Sequence, residues 1–286
     1  MAELIMDAHC RFGATPLVPN WGDAAAVRAA LRARGITTAI AASDLAARYD
    51  TIGGNDALAQ AITAPVAPGD VDLRGWLVLH PYRDNDANGQ LRRHFYGSDR
   101  FVGAALYADS LTGAHITFAE AQEVIVTYRR YARPLLIETR SALAMREVVR
   151  IAQEVGNQIK VIASGMGGDE WRDAVEIAVK PLNMYLDISG VLCPDKIEYA
   201  LNVLGGARRL LFASNAPNID PAAVIRMLDD VPGLSADDRE RILSGNALRL
   251  FGMVQDDGTP REPTEPTAAP DNRPRTGNLA PLRPMQ

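Results

Sequence analysis

Eight short apolar runs, most of them followed by a stretch of helical periodicity, constrain this chain more than any other feature of its sequence. They begin with Leu4-Ile5-Met6 and recur at Ile36 to Ala42, Leu73 to His80, Phe101 to Tyr107, Pro134 to Glu138, Lys160 to Ala163, Asn183 to Ile188 and Leu210 to Ala213. Runs this brief and this uniformly apolar read as strands buried on both faces, as in a parallel sheet. The helices between them carry their own punctuation. Asp23 caps a helix that Gly35 follows, and a second helix covers Asn55 to Thr63. Thr117-Phe118-Ala119-Glu120 is a capping box opening a helix to about Arg130. Ser141 caps the next, which Gly156 ends, and Pro194 suits the first turn of another that stops at Gly205-Gly206. After the eighth run only helices follow, at Pro221 to Leu228, Ser235 to Leu243 and Asn246 to Phe251. An open doubly wound sheet would alternate in the same way. Eight strands with helices continuing past the last favour closure, so the expected fold is a (β/α)8 TIM barrel with extra C-terminal helices.

At 286 residues and 47% hydrophobic composition, the chain can bury one full core, assigned to residues 1–255. From Asp256 to Gln286 the sequence turns rich in Pro, Thr, Asn and charge. Such a segment buries too little surface to offset its ordering entropy, so it reads as a disordered tail or as an arm that orders against a partner subunit. The net charge of −5 gives no reason to expect a nucleic acid or an anionic membrane surface as partner. No apolar run approaches the roughly 20 residues of a membrane span. The N-terminus enters a strand almost at once, so no leader segment is expected. With Cys10 and Cys193 far apart and in no ligand spacing, a reduced, cytoplasmic protein is expected.

In a barrel the chemistry sits at the carboxyl ends of the strands. The first strand ends in Asp7-Ala8-His9-Cys10-Arg11 and the fifth in Glu138-Thr139-Arg140. The sixth leads into Ser164-Gly165-Met166-Gly167-Gly168, and the eighth into Ser214-Asn215-Ala216-Pro217. With Asn183 to Gly190 and the closing Gly245-Asn246-Ala247-Leu248-Arg249-Leu250-Phe251-Gly252, these segments resemble, in order and spacing, the amidohydrolase-related (type 2) family of metal-dependent barrels over about residues 4 to 252. In that family the first strand ends Asp-x-His-x-His, the fifth carries a histidine, the sixth ends His-x-Gly-Gly, and the eighth supplies an aspartate that is both metal ligand and general base. Read across, those metal positions fall on His9, Arg11, Glu138, Ser164 and Asn215. The fourth strand offers Ala105 and Tyr107.

Zinc needs three or four N, S or O donors at near-tetrahedral geometry. His9 and Glu138 are the strong donors among the five positions, and a cation at Arg11 repels a divalent metal. Asp7 is a further possible donor with no specific support, and four histidines are a thin supply for a zinc hydrolase. No metal and no cofactor is therefore expected. Arg11 and Glu138 are instead expected to form a charge pair across the barrel mouth, for which bidentate geometry is suited.

Three functions follow from this reading. The first is a non-catalytic barrel, a pseudoenzyme subunit partnering a metal-bearing relative or itself as a homo- or hetero-oligomer. The second is a metal-independent hydrolase or decarboxylase acting on a small lactone, ester or carboxylate. There Glu138 or His9 would serve as base, and Arg11 or Arg140 would stabilise an oxyanion. The third is a small-anion binding module using Arg11 and Arg140. Glu138, His9 and Arg11 are the candidate catalytic residues, and Arg140, Tyr107, Ser164 and Asn215 the candidate substrate contacts. Bland roles stand beside these: a structural ion pair for Arg11 and Glu138, and a satisfied buried histidine for His9. His80, His94 and His115 are expected in loops or at the surface, and both cysteines are expected to be inert.

Overall fold

The computed structural model describes residues 4–14, 19–81, 86–96, 98–108 and 115–254, so the expected tail lies outside the described residues. Eight strands form one parallel sheet in sequence order: β1 (Ile5–Phe12), β2 (Ile36–Ser43), β3 (Asp72–Leu79), β4 (Phe101–Leu106), β5 (Leu135–Glu138), β6 (Val161–Ser164), β7 (Met184–Asp187) and β8 (Leu210–Leu211). The helices are α1 (Ala24–Arg32), α2 (Asp44–Arg48), α3 (Thr51–Thr63), α4 (Ala87–Phe95), α5 (Phe118–Tyr128), α6 (Ala142–Val155), α7 (Trp171–Ala178), α8 (Pro194–Leu204), α9 (Pro221–Asp229), α10 (Ala236–Glu240) and α11 (Asn246–Leu250). The caps of α1, α5 and α6 are Asp23, Thr117 and Ser141, and the Thr117–Glu120 capping box is formed. Helices α2, α4 and α7 are additions to the sequence reading. Two of them, α2 and α4, carry too little apolar periodicity to stand out. None of the described helices is long and apolar enough to cross a membrane.

The ring closes between β1 and the chain just after β8. Ala8 N–H donates to Phe212 O at 2.9 Å, Asn215 N–H to His9 O at 3.0 Å, and Arg11 N–H to Ala216 O at 2.7 Å. Strand β8 is short because the Phe212 N–H is drawn instead to Ile242 O, at 2.8 Å, in the π-helical turn Arg241–Gly245 between α10 and α11. Asp7 fastens the same seam from inside. It accepts from Ser214 N–H at 3.0 Å, from His9 N–H at 3.1 Å and from the Ser214 hydroxyl.

Two apolar layers follow. Met6, Ala8, Ile40, Trp76, Leu136 and Ile162 fill the barrel with Tyr107 above them, and Phe251 enters from α11 to meet Trp76 edge-on at 5.5 Å. Cys10, Phe12, Leu73, Leu77 and Ile137 face outward under the helices. Along β1 the alternation breaks. Asp7 pairs with Ala39 and Cys10 with Ala41, so Ala8 and His9 together oppose Ile40. This bulge inverts the parity of everything after it. Met6 and Ala8 point into the barrel, yet so do His9 and Arg11, while Cys10 turns out. The Ala8 carbonyl released by the bulge accepts from the Trp76 indole at 2.9 Å.

His94, buried on α4, corrects the sequence reading, whereas His80 lies in the loop after β3 as expected but is buried there. His80 is bonded to Ala47 O at 2.9 Å, and His94 lies 3.3 Å from Asp56 with its ring against Phe101. Both are covered by segments distant in sequence, Ala47 at His80 and Asp56 and Phe101 at His94, which neither local pattern announced. His115 is half-buried.

Gly103 shows how tightly the wall is built. A Cβ there would lie inside contact distance of the Pro134 carbonyl and the Trp76 ring. Neither neighbour is a free side-chain end, so Gly103→Ala is expected to cost about 2 kcal/mol in urea unfolding. An unchanged midpoint would mean that β4 and β5 tolerate separation.

Candidate functional site

Strand register sets three polar side chains in a row. Glu138 ends β5 opposite Ser164 at the end of β6, and Ser164 lies opposite Asp187 at the end of β7. Across the mouth, β1 delivers His9 and Arg11, β2 leads into Asp44, and the turn after β8 supplies Asn215. Asn215 sits at φ +57°, a left-handed conformation that asparagine tolerates better than most residues, and this lets its N–H reach the His9 carbonyl. These groups surround a cavity of about 230 Å³ lined by His9, Arg11, Glu138, Ser164 and Asn215, together with Arg48, Thr139, Arg140, Ser189, Asn218 and two glycines. The five positions carried over from the family pattern thus converge on one pocket.

His9 is held on both ring nitrogens. Nδ1 faces Ser164 Oγ at 3.0 Å and Asp187 Oδ2 at 3.2 Å, and Nε2 lies 2.8 Å from the Tyr107 hydroxyl. The tautomer that satisfies all partners carries its proton on Nδ1, donates to Asp187 and accepts from Tyr107. Ser164 and Asp187 share one nitrogen, so this is not the Ser–His–Asp geometry in which nucleophile and acid contact opposite ring nitrogens. Asp187 is fully buried and accepts further from Gly165 N–H at 3.0 Å, Ser189 N–H at 3.1 Å and the Ser189 hydroxyl. Burial pushes its pKa up, but the His9, Ser189 and Gly165 contacts outweigh this and hold it below the ordinary aspartate value. Burial raises the Tyr107 phenol far above its usual range against the opposing pull of Arg11, so it stays protonated as a donor.

Arg11 lies over the Tyr107 ring, with its Cζ 4.4 Å from the centroid, and donates Nε–H to Asn215 Oδ1 at 3.2 Å. Its two terminal nitrogens divide between carboxylates, one 3.7 Å from Asp44 and the other 3.7 Å from Glu138. The expected Arg11–Glu138 pair therefore forms, but as one long contact and not as a bidentate bond. The physical reason is competition. Asp44 draws the guanidinium from the other side, and Arg140 takes the Glu138 carboxylate at 2.7 Å. Arg48 lies 3.7 Å from Asp44 on the far wall. The mouth thus carries an alternating line, Arg48, Asp44, Arg11, Glu138, Arg140.

Asp44, Asp187, Ser189, Arg48 and Asn218 were not among the sequence candidates. Asp187 had a legible signal, since it closes an apolar strand as Glu138 does. Asp44 had little, because β2 runs one residue further than its apolar stretch. Tyr107 sits beneath Arg11 and His9 and does not line the cavity. The Cys10 thiol is buried behind β1, and burial pushes its pKa far up, as suits an inert side chain.

A resident metal does not fit these residues. His9 has no unengaged ring nitrogen, the Arg11 guanidinium occupies the space between the strand ends, and no described group of three His, Cys, Asp or Glu side chains could hold an ion. Asp7, the remaining possible donor, is committed to Ser214 and the His9 N–H.

Residues 16–253 match the sequence profile of the Amidohydrolase family. No curated protein matches the chain. Solved structures with the same fold include a 2,6-dihydroxybenzoate decarboxylase from Rhizobium, at 17% identity and a TM-score of 0.62, covering 87% of this chain and 99% of that one. Another is a probable 2-pyrone-4,6-dicarboxylic acid hydrolase from Acinetobacter baumannii with citric acid bound, at 14% identity and 0.65, covering 88% and 100%. A third is a 5-carboxyvanillate decarboxylase from Novosphingobium aromaticivorans complexed with manganese, at 16% and 0.64, covering 87% and 96%.

The Asp187 contacts have a pH signature. Its folded pKa is depressed, so its stabilisation is complete above the ordinary aspartate value of 3.8 and is lost as pH falls through the lower folded value. Asp7 acts in the opposite sense, since burial, only partly offset by its Ser214 and His9 hydrogen bonds, raises its pKa. Asp187→Asn isolates the first effect. The variant is expected to be less stable at pH 7 and to lose less stability on acidification below about pH 4, followed by denaturant unfolding across pH. Parallel pH profiles for the two proteins would refute the assignment.

Proposed function

This chain belongs to the Amidohydrolase family, and we propose that it is a metal-independent member whose pocket binds a small carboxylate. The place of Arg11 carries this reading. A guanidinium, always charged, stands where the family pattern has a metal ligand, anchored by Asn215 and the Tyr107 ring. Of the three arginines along the mouth Arg140 is the most exposed, at 64% against 42% for Arg48 and 8% for Arg11, so an incoming carboxylate meets Arg140 at the rim. Arg140, 64% exposed, spends one hydrogen bond on Glu138 and keeps further N–H donors toward the cavity it lines. The compounds in the names of the three solved structures are all carboxylates, which supports the ligand class.

In this reading the barrel performs none of the family's metal chemistry. It acts as a binding, non-catalytic subunit that associates with a metal-bearing relative or with itself.

A second reading is favoured by the ionised Asp187 against His9 and by Glu138 on the cavity wall. In it the pocket hydrolyses a small lactone or activated ester. Water attacks the carbonyl carbon, Glu138 takes the water proton, Arg11 or Arg140 stabilises the oxyanion, and Glu138 returns the proton to the leaving oxygen as the ring or ester C–O bond breaks.

Metal analysis and calorimetric titration of the purified protein with short carboxylates test the first reading. A metal content near zero and saturable binding are expected, with Arg140→Ala weakening affinity about ten-fold, the loss of one charge-assisted contact. Because Arg140 is exposed, the affinity should fall with added salt. A stoichiometric metal lost in both His9→Ala and Glu138→Gln would overturn the proposal. Turnover of a lactone or ester panel that Glu138→Gln abolishes would replace it with the second reading.

A further inference from the structure

The wall of the pocket has a composition unusual for a small-molecule site. Such sites are lined mainly by apolar and aromatic side chains, with a few polar groups that fix orientation. Here no Leu, Ile, Val, Met, Phe, Tyr or Trp is among the described residues that line the cavity. Its cations stand on opposite walls, Arg11 on β1 and Arg48 on α2 against Arg140 after β5, with Glu138 between Arg11 and Arg140. The arc that joins the two walls carries Ser164 and Ser189, with Asn215 and Asn218 beside them. The nearby aromatic ring, Tyr107, is covered by Arg11 and turns its hydroxyl to His9.

The polar wall is built rather than incidental. Ser164 and Ser189 are 4% and 8% exposed and hydrogen-bond each other at 2.9 Å. Each hydroxyl has two acceptor lone pairs and one proton, so both keep acceptor capacity toward the cavity. Asn215 uses its amide oxygen on Arg11 and retains its side-chain N–H groups. Asn218 is exposed at the rim and reaches Asn215 only at 3.5 Å. An aromatic ring placed here would strip water from these serine and asparagine groups and return no hydrogen bond to them. A ligand bearing hydroxyls along its length would replace that water bond for bond.

We infer that this pocket takes a hydroxylated aliphatic carboxylate, such as a short aldonic or hydroxy acid, and discriminates against aromatic acids. Arg140 at the rim holds the carboxylate, and the serines and asparagines along the neighbouring arc read the hydroxyls. A cavity of about 230 Å³ suits a metabolite of a few carbons. It lies below the roughly 300–1,000 Å³ of sites for drug-sized ligands. The inference rests on the carboxylate reading proposed above and departs from the aromatic acids in the names of two of the solved structures.

Calorimetric titration of the full chain with gluconate, hexanoate, benzoate and 2,6-dihydroxybenzoate tests both layers separately. Gluconate is expected to bind at least ten-fold tighter than each of the other three. Asn218→Ala is expected to weaken gluconate about five-fold, the loss of one hydrogen bond, and to leave hexanoate unchanged. Benzoate or 2,6-dihydroxybenzoate binding as tightly as gluconate would overturn the inference and leave the carboxylate reading standing, and so would hexanoate equal to gluconate. An equal effect of Asn218→Ala on gluconate and hexanoate would overturn the hydroxyl-reading role of the asparagine side. Binding of none of the four would overturn the inference and the carboxylate reading together.

Discussion

The seam between β1 and the turn after β8 is the constraint on which the rest of the structure depends. Three backbone hydrogen bonds and the buried Asp7 carboxylate hold it. Each of those bonds involves a residue of the site or its direct neighbour: Ala8 beside His9, His9 with Asn215, and Arg11 with Ala216. Closing the barrel and placing the functional groups are therefore one event. The bulge at Ala8 and His9 is part of the same solution. It turns His9 and Arg11 inward while Asp7 stays in the wall, and the Trp76 indole satisfies the carbonyl it releases. Trp21 makes a matching contact to Arg11 O at 2.6 Å from outside.

Electrostatics explain why several substitutions belong together. A buried guanidinium is tolerated only with partners, and a buried carboxylate only with donors. Arg11 has Asp44 and Glu138 near its terminal nitrogens, Asn215 on Nε and a ring face below. Asn215 accepts a hydrogen bond without bringing a third negative charge. Ser164, in place of an imidazole, shares Nδ1 of His9 with Asp187. The donors that a metal would need are each committed to a neighbour. The result is a polar mouth whose charges are fixed by the protein itself.

Much of the architecture was legible because it is repetitive. Runs at Ile36, Leu135 and Val161 read as buried strands from their apolar character alone, and the Thr117–Glu120 box and the Asp23 and Ser141 caps marked helix starts through local hydrogen bonding. The site was legible in part. His9, Arg11, Glu138, Ser164 and Asn215 lie at strand ends, and a barrel brings strand ends together. Asp187 also ends a strand, but no position of the family pattern marks it. Asp44 and Arg48 sit on a five-residue helix too short to show a period, and the burial of His80 and His94 depends on helices packed from elsewhere in the chain.

The sequence by itself determined the closed α/β architecture and the set of strand ends that meet, because apolar pattern and cap chemistry act over a few residues. It also determined that the metal positions had changed together. Tertiary structure decided how those positions use one another. The division of Arg11 between Asp44 and Glu138, the transfer of Glu138 to Arg140 and the capture of His9 by Asp187 and Tyr107 all join residues on different strands. Such choices turn on differences of an ångström or so in register and on the parity of one bulge. Neither is encoded in the local pattern of any single segment.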